Sequence, residues 1–221
     1  MENGLNSLSL IWGPIIEDEN LDNALIVGPM EYNMEVGNMN QIPTLIGFNS
    51  EELVYFLRGV PDVSVFLAPL GSYFDEDTSR LINNKFNMTA ENKVKAGEEL
   101  RRIYTETSFE EDVSALVRFL SDQSYSTPSA RQAVLQSKYT YVYLYQFSYS
   151  GLIGGNTVHI EGADNVGHTE ELMNPTPTKD ELLDNVIWEK ASPDNVTYLS
   201  INVTLEMKTN VKRYKEFVPN L

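Results

Sequence analysis

Gln41-Ile42-Pro43-Thr44-Leu45-Ile46-Gly47-Phe48-Asn49-Ser50-Glu51-Glu52-Leu53 joins two kinds of local structure. Thr44 to Phe48 reads as a short buried strand. Asn49 and Ser50 are good N-caps, and Glu51 to Leu57 can open a helix whose carboxylates lie in the first turn, where the helix dipole favours them. Glu52 then falls just past the carboxyl end of a strand, where α/β folds gather functional groups. Taken alone, Glu51 and Glu52 are better read as ordinary N-terminal helix glutamates.

A second strand follows far downstream. Tyr139-Thr140-Tyr141-Val142-Tyr143-Leu144-Tyr145-Gln146-Phe147-Ser148-Tyr149 puts an aromatic at every second position, with Val142 and Leu144 between them. This pattern predicts a strand buried on both faces. The glycine-rich loop Ser150–Asn156 leads on to Asn165-Val166-Gly167-His168-Thr169-Glu170-Glu171-Leu172. Loops this long inside a compact domain are usually functional or disordered. With no cysteine in the chain, His159 and His168 are the only side chains whose unperturbed pKa lies near neutrality. Read alone, His168 is more simply a solvated loop histidine.

Residues 75–137 read as helical. Asp75 to Phe86 carries Leu81, Ile82 and Phe86 on a stripe, and Thr89 can cap a helix over about Ala90 to Tyr104. Ser108-Phe109-Glu110-Glu111 forms a capping box ahead of Val113, Leu116, Val117 and Leu120 at helical spacing. Thr127-Pro128 caps a further helix. Near the end, Val186–Glu189 and Thr197–Ile201 are extended, and Leu205 to Phe217 predicts a terminal helix.

The composition narrows the function. The 221 residues hold 16 Lys+Arg against 32 Asp+Glu, a net charge of -16, and residues 1–60 carry only Arg58 against nine carboxylates. Such a surface repels phosphate backbones and anionic lipid, which argues against nucleic acid as a partner. No apolar run approaches the ~20 residues of a membrane span, and the start lacks a signal-peptide pattern. The absence of cysteine removes disulfides, thiolate catalysis and Cys-ligated zinc. A metal site from His159, His168 and Glu171 lacks a third firm ligand at close spacing, so no metal is expected. The acidic run Asp18–Asp22 lacks the central glycine and closing glutamate of a calcium loop. Asn87, Asn195 and Asn202 head glycosylation sequons, though about three such matches arise by chance in a chain of this composition.

These stretches, in this order, resemble the carboxyl-terminal part of a type-B carboxylesterase. Trp12-Gly13-Pro14-Ile15-Ile16-Glu17 is similar to the family's W-x-P-V-I-E, and Ile42 to Glu52 to its V-P-x-L-x-G-x-N-x-x-E. Tyr143 to Tyr149 is similar to Y-x-Y-x-F-x-Y, and His168 to Leu172 to H-x-x-E-L. Ser192–Leu199 and Leu205–Lys208 are similar to the tail of the insect members. The resemblance runs from about residue 10 to the end, leaving 1–9 as a leader outside the family. It implies a partial α/β-hydrolase fold, the carboxyl-terminal half of the sheet with its helices, the amino-terminal half being absent. It implies a serine esterase triad in which Glu52 is the acid and His168 the base, a small-molecule carboxylic ester as substrate, and no cofactor. Family members are both secreted and cytoplasmic, so the compartment stays open.

Two departures qualify the resemblance. No Gly-x-Ser-x-Gly nucleophile elbow occurs in the chain. Asn174-Pro175-Thr176-Pro177 is similar to the family's G-N-P-x-P but follows His168 by only six residues, which implies a deleted helix near 172–178. The expectation is a carboxylesterase fragment inactive by itself, prone to aggregate through an uncovered sheet. The alternative is a fragment of a non-catalytic adhesion member, which retention of both Glu52 and His168 argues against.

Overall fold

The computed structural model describes residues 15–84, 86–149, 158–163, 166–167, 189–202 and 204–209. Among these, four strands form one sheet in the order β1 (Thr44–Asn49), β2 (Val142–Phe147), β3 (Thr197–Ile201) and β4 (Leu205–Thr209). The first three are parallel, and β4 returns antiparallel to β3. Thr44 pairs with Val142 and Asn49 with Phe147, so β1 and β2 end level with each other at their carboxyl ends. Parallel neighbours need a long crossover, here the helical block between them.

That block starts from the 3-10 helix Glu52–Leu57, which leads into α2 (Val63–Glu76). After the 3-10 turn Thr78–Leu81 come α3 (Ala90–Tyr104), α4 (Val113–Ser121) and α5 (Thr127–Ser137). A short helix α1 (Met30–Glu35) precedes β1 and is tied to α5 by the ion pair of Glu31 with Arg131. Two cores result. Leu53, Val54, Leu57, Leu67, Leu100, Phe109, Leu116 and Phe119 bury the helices against one another. Phe48, Val142, Leu144, Ala130, Ala133, Val134 and Tyr198 bury α5 on the sheet.

Local signals carry most of this. Strand β1 and helix α3 stand where the sequence places them, and Thr89 caps α3 by accepting the Asn92 N–H at 3.3 Å. The stripe on α4 is core: Leu116 and Val117 are fully buried. Among the described residues β2 is fully buried on one face and partly buried on the other. Val142, Leu144 and Gln146 are buried while Tyr143, Tyr145 and Phe147 are half-buried, so the aromatic face is less covered than a strand buried on both faces would be.

Other expectations also change. Helix α2 is not legible in the sequence, because Pro69 lies inside it and reads as a breaker. Asp62 starts it by accepting the Val65 N–H at 3.0 Å. The helix expected over Asp75 to Phe86 breaks at Asp77, whose backbone is extended and whose carboxylate accepts the Ser79 N–H. Leu81 is buried, but Phe86 is exposed. Ser108 does not cap α4. Its hydroxyl accepts the Glu111 N–H in the preceding turn, and Asp112 is the cap, accepting the Ala115 N–H at 2.9 Å.

Thr127 caps nothing, because the chain stays helical from α4 through a π turn, Asp122–Ser126, into α5. Pro128 inside a regular helix would clash with the carbonyl four residues back; the widened π turn just before it relieves that crowding. Leu205 to Thr209 is strand β4, not the start of a helix. Leu205 and Met207 alternate with Glu206 and Lys208, and the open edge of β3 turns this short period-two pattern into a strand. The rest of that stretch and Val186–Trp188 lie outside the described residues. No helix among the described residues is long and apolar enough to cross a membrane.

Candidate active site

The carboxyl end of β1 turns directly into the 3-10 helix, and every residue from Asn49 to Val54 is buried. Glu52 is only 4% exposed. Its Oε1 accepts the Asn49 backbone N–H at 2.7 Å, so the carboxylate folds back onto the strand it has just left. Ser50 N–H continues the sheet ladder to the Phe147 carbonyl at 2.9 Å. On the far side the Leu53 N–H donates to the Ser121 hydroxyl at 3.1 Å, tying the turn to the end of α4. The Tyr125 phenol, on the π turn, is held above its ordinary pKa first by burial and then by the negative charge of Glu52.

A distant segment closes on this turn. The Glu51 N–H donates to the Val166 carbonyl at 3.0 Å, and the Asn49 side-chain amide donates to the Gly167 carbonyl at 2.5 Å. Val166 and Gly167 are both buried. Gly167 is required by proximity: a Cβ there would sit 2.7 Å from the Tyr55 backbone nitrogen. His168, the residue that follows, lies outside the described residues. The described part of the site therefore consists of Glu52 and the backbone that leads into His168.

The sequence predicts Asn49 and Ser50 as helix caps. Instead Glu51 is the residue before the 3-10 helix and makes no side-chain cap, while the Asn49 amide spans 118 positions to Gly167. Nothing in the local pattern separates these uses of an asparagine, so sequence reasoning misses its role.

His159 is placed elsewhere, in a polar cleft of about 790 Å³ between Gly59–Ser64, Glu111–Ser114 and Val158–Glu161. Among the described residues no group of three or more His, Asp or Glu is arranged to hold a metal ion. His168 and Glu171, the other members of the metal set considered above, lie outside the described residues.

The strand-end Glu52 of a parallel sheet thus has the backbone of Val166 and Gly167 brought to its turn. The carboxylesterase family model matches residues 2–178. The chain belongs to the carboxylesterase family. The chain superposes on the juvenile hormone esterase of Manduca sexta, solved with OTFP covalently attached, with a TM-score of 0.63 at 18% identity. The match covers 94% of this chain and 46% of that one. A PNB esterase and a thermophilic PNB esterase each match with a TM-score of 0.52, at 14% and 15% identity, over 85% of this chain and 40% of theirs. The chain thus spans about half the length of these structures, and at such identities the likeness shows the α/β-hydrolase fold alone. A search of curated proteins gave no match.

Proposed function

We propose that this chain carries the acid and the base, but not the nucleophile, of a carboxylic ester hydrolase. Glu52 is the triad acid and His168 the general base. In the complete site His168 takes the proton of a serine hydroxyl as that oxygen attacks the ester carbonyl, then returns it to the departing alcohol. Water, deprotonated by the same imidazole, releases the acid. Glu52 holds the imidazole tautomer and stabilises the imidazolium. The substrate is a small carboxylic ester, and the chemistry calls for no cofactor.

One observation carries this reading. Asn49 and Glu51 hold the adjacent carbonyls of Gly167 and Val166, so the residue bonded to His168 is anchored within the turn that holds Glu52. The 221 residues contain no Gly-x-Ser-x-Gly. Loss of a serine nucleophile costs on the order of 10⁶ in turnover in serine hydrolases, so the chain by itself is inactive. With the family match beginning at residue 2, the chain from there to its end is read as one carboxyl-terminal portion of the family domain, with the deletion near 172–178. Asn87, Asn195 and Asn202 are all exposed, as glycan acceptors must be.

Hydrolysis of p-nitrophenyl acetate by the chain and by His168→Ala tests the inactivity; the two should match the blank. Turnover present in the first and lost in the second would overturn it. Transcript sequence upstream of the Met1 codon tests the parentage. An in-frame Gly-x-Ser-x-Gly supports the hydrolase, and glycine in place of that serine would reverse the reading to a non-catalytic adhesion protein.

A further inference from the structure

Asn49 makes two connections at this turn. Its backbone N–H holds Glu52 Oε1 at 2.7 Å, and its side-chain amide holds the Gly167 carbonyl at 2.5 Å. It is fully buried, and as the last residue of β1 it is fixed opposite Phe147 in the sheet. The reference point for both is therefore the sheet itself. The neighbouring bond from Glu51 N–H to the Val166 carbonyl makes a second rung beside the first.

We propose that Asn49 is a positioning residue that sets the spacing between acid and base, by holding the carboxylate of Glu52 with its main chain and the backbone entering His168 with its side chain. The inference rests on the assignment of Glu52 and His168 made above. The residue type fits the task. Aspartate has no donor for the Gly167 carbonyl and would set a second negative charge beside Glu52. Alanine would leave a buried carbonyl without its donor. A misplacement of about 1 Å between reacting groups is enough to cost on the order of 10²-fold in rate, so the rigidity of this link bears on chemistry as well as stability.

The test reads the protonation of His168 directly. Diethyl pyrocarbonate acylates neutral imidazole, so its rate against pH gives the midpoint of each histidine. The two histidines are resolved by peptide mass spectrometry at sub-micromolar protein, with His159 as the internal reference. A carboxylate partner favours the imidazolium, so Glu52→Gln should lower the His168 midpoint, on the order of one unit. Asn49→Ala should lower it in the same direction by roughly half a unit or more, leaving His159 in place. Asn49→Leu, which fills the space without a donor, repeats the measurement with packing kept. Thr78→Val removes the hydroxyl bond to the Val94 carbonyl far from the site, and controls for loss of stability alone; it should leave both midpoints unchanged. If Glu52→Gln moves the midpoint and neither Asn49 variant does, the positioning role is overturned while the acid–base pair stands. If Glu52→Gln moves nothing, the pair itself is wrong and the inference falls with it.

Discussion

Glu52 and Asn49 close a three-residue loop on themselves, with the carboxylate of the first accepting the backbone N–H of the second at 2.7 Å, inside the protein. A carboxylate used this way is partly structural, which separates two substitutions that sequence reasoning treats alike. Glu52→Gln keeps an acceptor in place and should cost less than about 1 kcal/mol. Glu52→Ala leaves the Asn49 N–H without it and should cost about 1–3 kcal/mol. Urea denaturation of both variants checks this; equal losses would mean that the bond to Asn49 carries no stability.

Gly47 sits beneath the ring of Tyr145. A Cβ at that position would lie 1.9 Å from Tyr145 Cζ, an impossible contact without movement of the ring. Gly47→Ala should destabilise by about 1–3 kcal/mol through overpacking. Tyr145→Leu in the same chain should recover part of that loss, and a double-mutant cycle measures the coupling.

Asp75 gathers three donors from two other elements: Arg101 Nη1 at 3.1 Å, the Phe109 N–H at 3.2 Å and the Glu110 N–H at 2.9 Å. It joins α2, α3 and the turn before α4. Asp75→Ala should cost about 1–3 kcal/mol for the donors left behind. The thermal midpoint of the variant gives the answer, and an unchanged midpoint would count against the junction.

Asp112 at the start of α4 shows competing influences on its carboxyl. Burial pushes its pKa up, but hydrogen bonds from the Ser114 hydroxyl and the Ala115 N–H outweigh it and hold the group below the ordinary range. A lowered folded-state pKa means that the stabilisation is complete above the unfolded value of about 3.9 and disappears as pH falls through the folded value. The stability gap between wild type and Asp112→Asn should therefore be constant near neutrality and shrink below about pH 4. Thermal scans across that range test it, and a gap that widened in acid would reverse the sign.

Ile42, just before β1, and Leu45 within it are 63% and 61% exposed, and β1 has β2 on one side and no second strand partner among the described residues. An open apolar edge templates association. The isolated chain should self-associate at micromolar concentration, and Leu45→Lys should raise the concentration at which it does so. Light scattering against concentration compares them. A sharp, cooperative thermal transition in a monomeric wild-type preparation would contradict the expectation.

The legible parts of the fold are those written in neighbouring residues. Thr44–Asn49, Ala90–Tyr104 and the buried stripe of α4 follow from periodicity and caps that act within a turn or two. The candidate acid is legible for the same reason, being three residues past a strand end. Helix α2 and the π turn are not, because Pro69 and Pro128 carry the local signature of a break, and only packing against the rest of the helical block outweighs it.

By itself the sequence determined an acidic, cysteine-free α/β chain with its strand-end glutamate and the order of most of its strands and helices. Only the tertiary structure decided what Asn49 does, that Val166 and Gly167 come to the Glu52 turn, and that Leu205–Thr209 is a strand. The physical reason is one of range. A cap or an apolar stripe is satisfied within its own segment, whereas an amide 118 positions from its acceptor, or a short strand beside an open edge, gains its partner only once the chain has folded.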